Sequence, residues 1–176
     1  MNKRFYSGKI YSHATGHSCA FRQWRADSHC NLIHGYALQF ELKFGGELDE
    51  RNWIVDFGGL KPLKNWLAEM FDHTYLVAED DPELETFKEL EAKKLVDLRI
   101  VPATGCERFA EMVFDFADNL VKENTDGRCW VQEVTVREHG HNSATVELND
   151  HAKVHFSDGP SFDDTEAIDD VFESLK

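Results

Sequence analysis

The chain has 176 residues, 41% of them apolar and 30% charged, enough for one domain with a core and unlike a disordered or membrane-spanning composition. No run approaches the roughly 20 apolar residues that a spanning helix needs. Nineteen Lys and Arg stand against 33 Asp and Glu, and the net charge of −14 argues against a general nucleic-acid or anionic-membrane binder while leaving room for a local basic pocket.

Residues 3–12 mix polar and aromatic side chains and predict a first strand. Residues 13–33 read as an irregular functional loop holding two Arg, two Cys and three His. In HGYALQFELKF, Tyr36, Leu38, Phe40, Leu42 and Phe44 alternate with polar or small residues, which predicts a strand with His34 in phase with its apolar face. Trp53–Phe57 predicts a short strand closed by Gly58 and Gly59. Leu60, Leu63, Leu67 and Met70 recur at helical spacing, with Pro62 near the helix start where proline is tolerated. The acidic segment EDDPELETFKELEAKK predicts a small helix, and Cys106 to Val121 predicts an amphipathic helix of about four turns. Residues 130–138 and 144–148 predict a hairpin across HGHNS. Residues 1–156 therefore form one expected domain and 157–176 an acidic tail. Strands at both ends with helices between predict an α+β fold, an antiparallel sheet with helices on one face. The N-terminus has no apolar signal segment and the four cysteines lack CxxC spacing, which predicts reduced thiols in a cytoplasmic protein.

Four groups of residues can carry chemistry. His13, His17, His29, Cys30 and His34 place five candidate metal ligands in 22 residues, enough to hold a zinc ion with one open position. Asp72 beside His73 can fix the imidazole's tautomer for proton relay, or act as a turn residue next to a helix-terminal His. Glu138 continues the Val134–Val136 face and can accept two parallel N–H bonds from a guanidine-like heterocycle edge, or stand exposed at the strand end. Arg22 and Arg25 can recognise phosphate, or pair with nearby carboxylates.

Taken in order over roughly residues 5–140, the segments resemble the 6-pyruvoyl-tetrahydropterin synthase family, and most its 6-carboxytetrahydropterin synthase branch. YSH with His13 fits a strand ending in a His ligand. In CNLIHGY, Cys30 stands four residues before His34, as a catalytic Cys stands before the family's HGH. WIVDFGGLKPLK, FDHTYL, ATGCERFAE and VTVREH match further family segments. The resemblance implies the tunnelling fold (T-fold), a four-stranded antiparallel sheet with two helices on one face, in subunits that associate as trimers or hexamers with sites between them. It implies a lyase acting on 7,8-dihydroneopterin triphosphate to give 6-carboxy-5,6,7,8-tetrahydropterin for queuosine-type deazapurines. It implies Zn2+ held by His13 and His34 with a third imidazole, His29 before His17. It further implies Cys30, Asp72 and His73 as catalytic groups and Glu138, Glu107 and Arg25 as substrate contacts. Two alternatives stay open: 6-pyruvoyl-tetrahydropterin synthesis, and a zinc-less pterin or purine binder. The sequence departs from the family where HGH becomes HGY, so that Tyr36 replaces the usual third zinc ligand.

Overall fold

The computed structural model describes residues 3–149, so the expected boundary at 156/157 and the acidic tail lie outside the described residues. Strands β1 (Phe5–Tyr11), β4 (Gln39–Gly46), β7 (Cys129–Arg137) and β8 (Ser143–Glu147) form an antiparallel sheet in the order β1-β4-β7-β8. Alternation decides its faces. Phe40, Leu42 and Phe44 of β4 are buried beside Val134 and Val136 of β7. On the other face, Arg137 hydrogen-bonds Glu41.

Helices α1 (Lys61–Phe71) and α3 (Cys106–Asn124) bury their apolar stripes in the same core. Leu63, Leu67 and Phe71 of α1 meet Phe40, Phe44 and Phe109 there, and Trp66 stacks on Phe116 at 4.3 Å to tie the helices together. Each buried large apolar side chain contributes about 1.5–3 kcal/mol relative to exposure, so this interior is what fixes the helices on the sheet.

A second, mixed sheet was not expected. It joins β3 (His34–Ala37), β2 (Ser18–Phe21), β5 (Thr74–Ala78) and β6 (Leu98–Val101) in that order, antiparallel between β3 and β2 and parallel thereafter. Helix α2 (Leu84–Ala92) lies between β5 and β6 and buries Phe87 against Tyr75, Val77 and Leu98.

The expected continuous strand from Tyr36 to Phe44 divides at Leu38, whose amide donates to the His17 carbonyl at 2.9 Å, so β3 and β4 serve different sheets. Trp53–Phe57 is not a strand. Asp49 accepts from the Trp53 amide and Asp56 from the Gly58 amide, and a 3-10 turn over Phe57–Leu60 follows and leads into α1. FDHTYL, by contrast, supplies β5.

Candidate functional site

Three residues separate the two ends of β2, roughly 10 Å at strand rise, and the expected site residues divide between those ends. At one end Phe21, the last residue of β2, is the register partner of His34 on β3, and their ring centroids are 4.8 Å apart. His34 donates from Nδ1 to the Leu32 carbonyl at 2.7 Å, which leaves Nε2 as the acceptor of a neutral ring. Tyr36 lies two residues along the same face, with its ring 5.8 Å from that of His34 and 5.6 Å from that of His139.

Burial raises the Tyr36 phenol above its usual value, and the surrounding Glu138, Cys30 and Cys106 push it further the same way. These groups share one locality. Cys30 sits half-buried in a 3-10 turn, its carbonyl accepting from the Gln23 amide. Cys106 opens α3, and Glu138 follows β7. Burial pushes the Cys106 thiol up to about 12, assisted by the negative charges of Glu138 and Glu107 nearby. Glu138 accepts from the Asn142 side chain at 3.3 Å, a contact supplied by the β7–β8 turn. The local chemistry is thus one accessible thiol, one carboxylate held by an amide, and a run of aromatic rings. Glu107 is exposed in the first turn of α3, where its charge complements the helix N-terminus.

At the other end of β2 stand His13 and the Asp72–His73 pair. His73 has φ 58° and its amide donates to the Ser18 carbonyl at 2.7 Å. Its Nδ1 meets Asp72 Oδ1 at 2.6 Å, so the pairing expected for a proton relay is present, with the imidazole side chain 88% exposed. His13 Nδ1 lies 2.5 Å from the Ala37 carbonyl, at the far end of β3 from His34.

This placement does not bring the expected metal set together. β1 pairs with β4 and not with β3, so His13 does not end a strand beside His34. His29 is exposed. His17 is buried among core rings, 5.4 Å from Phe40 and 6.3 Å from Tyr11. Among the described residues, no three His, Cys, Asp or Glu side chains converge to hold a metal ion. The strand end facing His34 carries Phe21 and the next position on the same face of β3 carries Tyr36, so the residues present do not fit a three-imidazole zinc centre.

The expected phosphate-binding cations are also engaged. Arg25 pairs with Asp80 and lies over the Trp24 ring, while Arg22 grips Asp81 through Nε and Nη2 at 2.8 and 2.7 Å. Sequence reasoning missed Cys106 and His139. Cys106 was read as one of several scattered thiols, and His139 as part of a hairpin turn. The HGHN that follows Glu138 was the available signal for His139. An exposed apolar groove of Phe5, Tyr6, Trp53 and Phe57 lies at the opposite end of the β1–β8 sheet from Glu138.

An antiparallel sheet carrying two helices on one face defines an α+β fold. The profile of the 6-pyruvoyl tetrahydropterin synthase family matches residues 10–149, and the chain belongs to that family. A 6-carboxy-5,6,7,8-tetrahydropterin synthase from Aquifex aeolicus is 26% identical over 112 residues, covering 61% of this chain and 68% of that protein. A putative enzyme of the same name from Archaeoglobus fulgidus is 29% identical over 89 residues, covering 47% of this chain and 77% of its own. Among solved structures, an uncharacterized protein from Wolinella succinogenes superposes with TM-score 0.71 at 16% identity, covering 84% of this chain and all of that one. The 6-pyruvoyl tetrahydropterin synthase of Plasmodium falciparum superposes with TM-score 0.62, also at 16% identity, covering 84% and 99%. At such identities these structures establish the fold alone. No helix among the described residues is long and apolar enough to cross a membrane.

Proposed function

We propose that the chain is a reduced-pterin lyase of the 6-carboxytetrahydropterin synthase kind, acting on 7,8-dihydroneopterin triphosphate with loss of triphosphate, uptake of one water and release of acetaldehyde. The observation that carries this reading is the gathering of Cys30, Tyr36, Cys106 and Glu138 at one end of the β2–β3 pair. Glu138 accepts the amino-pyrimidine edge of the pterin, because a carboxylate can take two parallel N–H bonds from that edge. Cys30 removes a proton from the substrate side chain as its thiolate. Asp72 holds the His73 ring for the complementary transfer.

His73 lies at the other end of β2, so it reaches this substrate from a second copy of the chain. That arrangement requires a homo-oligomer with sites between subunits, and the apolar groove along β1 is available to an assembly contact. The names of the Aquifex and Archaeoglobus relatives favour the carboxy product. The test is incubation of the purified chain with 7,8-dihydroneopterin triphosphate and analysis of pterin and aldehyde products. Stoichiometric acetaldehyde and 6-carboxytetrahydropterin are expected. A 6-pyruvoyl product without acetaldehyde would reassign the reaction. Phe21 and Tyr36 beside His34 favour a second reading, a pterin or purine binder without turnover. Tight binding with no product would establish it.

A further inference from the structure

We propose that the rings of Phe21, His34, Tyr36 and His139 stand in place of a metal centre, and that this chain binds a reduced pterin without a zinc ion. The pterin part rests on the function proposed above; the metal part rests on the donor set alone.

A catalytic zinc takes three protein ligands and keeps one position open. In an antiparallel pair the side chains of directly opposed residues lie about 4.5–5.5 Å apart at Cβ, so the residue across from His34 is the one placed to share a metal with it. That residue is Phe21. It is fully buried and packs edge-on against Phe109 at 5.0 Å and 89°, so the phenyl belongs to the core and fills its own space. The same face of β3 offers Tyr36 two residues on. Its ring meets His34 edge to face at 5.8 Å and 80°, and His139 at 5.6 Å and 61°. His141 continues the run at 5.9 Å from His139. These are the spacings of packed aromatic rings, which attract through edge-to-face contact. Coordination needs something different, with ring nitrogens about 2 Å from one shared point.

His34 retains one feature of a ligand, a Nδ1–H fixed by the Leu32 carbonyl with Nε2 left as acceptor. That acceptor suits a hydroxyl on the side chain of a reduced pterin equally well. Glu138, beside Tyr36, supplies the charged contact for the ring. A ligand would then be held by carboxylate, imidazole and aromatic faces together.

The test compares the full wild-type chain with two variants, all produced in zinc-supplemented medium. Elemental analysis of the wild type is expected to give far less than one zinc per chain. Titration of 7,8-dihydroneopterin, followed by its fluorescence, is expected to give the same affinity, within about twofold, with and without a chelator. The double variant Phe21→His/Tyr36→His places imidazoles at both positions and is expected to bind about one zinc per chain. Tyr36→His alone disturbs only a half-buried ring and is expected to take up zinc more tightly than the wild type. One zinc per wild-type chain, lost in His34→Ala, would overturn the proposal. So would pterin affinity that collapses with chelator, or a folded double variant that binds no zinc. If the wild type lacks zinc and also fails to bind 7,8-dihydroneopterin, the pterin function fails while the metal-free assignment stands.

Discussion

The imidazole of His17 lies 5.4 Å from the ring of Phe40, edge to face, in the interior between the two sheets' connecting strands. Its Nδ1 is buried without a hydrogen-bond partner. Burial lowers its pKa, a shift that Asp72 opposes and Lys64 reinforces. The unfolded chain holds this ring near the ordinary value of about 6.5. Between the lowered folded value and that ordinary one, the unfolded state binds more protons, so stability is full above about pH 6.5 and falls as pH drops below it. His17→Leu should remove that part of the dependence. Urea unfolding from pH 7.5 to 5 should show the variant gaining on the wild type as pH falls, by no more than about 1.4 kcal/mol per pH unit. Parallel curves would show that His17 is not held neutral.

A Cβ on Gly35 would sit 2.5 Å from the Cys19 carbonyl oxygen and 3.2 Å from the Ala20 Cα. Both obstacles belong to the neighbouring strand rather than to a movable side chain. Gly35→Ala must therefore push β3 away from β2, at a cost of about 1–3 kcal/mol typical of overpacking. The same movement separates His34 from Phe21. Thermal melting should show a clear loss, and an unchanged melting temperature would mean that the two strands can part without penalty.

The Arg22–Asp81 pair anchors the loop before Cys30 to the end of β5. The Asp81 side chain is fully buried, and burial alone would raise its carboxyl. The Arg22 hydrogen bonds and the Glu83 amide outweigh that effect and hold it below the usual range. A depressed carboxyl stabilises the fold above its unfolded pKa of about 3.9, and that stability is lost as pH falls through the lower folded value. Arg22→Met leaves the carboxylate buried and alone, which should cost about 3–5 kcal/mol at pH 7. Denaturation at pH 7 and pH 3 should show the penalty shrinking in acid. An equal penalty at both values would assign Arg22 to packing only.

Long periodic segments were legible in the sequence because tertiary contacts reinforce their patterns. The α1 and α3 stripes and the β7–β8 hairpin fall within a few residues of expectation. The four-residue strands β2 and β6 were not legible, since a stretch that short shows no period and is held by partners distant in sequence. That omission governed the reading of the site. Without β2, His13 was the available strand end for His34, and Phe21 went unremarked. Cys30 stands out in the sequence within a His-rich loop and Glu138 on the Val134–Val136 face, whereas Cys106 comes near them only through the entry of α3 beside the end of β7.

Glu138 accepts from the Asn142 amide and lies near the Cys106 thiol, and a pterin edge can replace the amide contact. Glu138→Gln keeps the shape and removes the charge. One N–H acceptor becomes a donor facing the ligand's own donors. Losing a charge-assisted contact of this kind costs about 2–3 kcal/mol, or roughly 30- to 150-fold in affinity. Calorimetry with a pterin analogue decides the matter, and a loss under about threefold would place Glu138 at the rim.

The four thiols differ enough for chemistry to tell them apart. Burial pushes Cys19 up to about 12 and Cys129 up to about 11, and Cys106 reaches about 12 with the help of Glu138. All three are buried, whereas Cys30 is half-exposed in its turn. The thiolate is the reactive form, so thiols both buried and raised so far are inert near neutral pH. Native alkylation with iodoacetamide at pH 7.5, read by peptide mass spectrometry, should therefore mark Cys30 and leave the other three until the chain unfolds. A bound pterin should slow that labelling, because the ligand covers Cys30 when it seats on Glu138. Cys30→Ala should lose turnover while retaining pterin affinity within a few fold, since the thiol moves a proton and contributes little to ground-state binding. Full turnover in Cys30→Ala would remove the thiol from the chemistry, and fast labelling of Cys106 in the folded chain would move the search for the proton-transferring group to the start of α3.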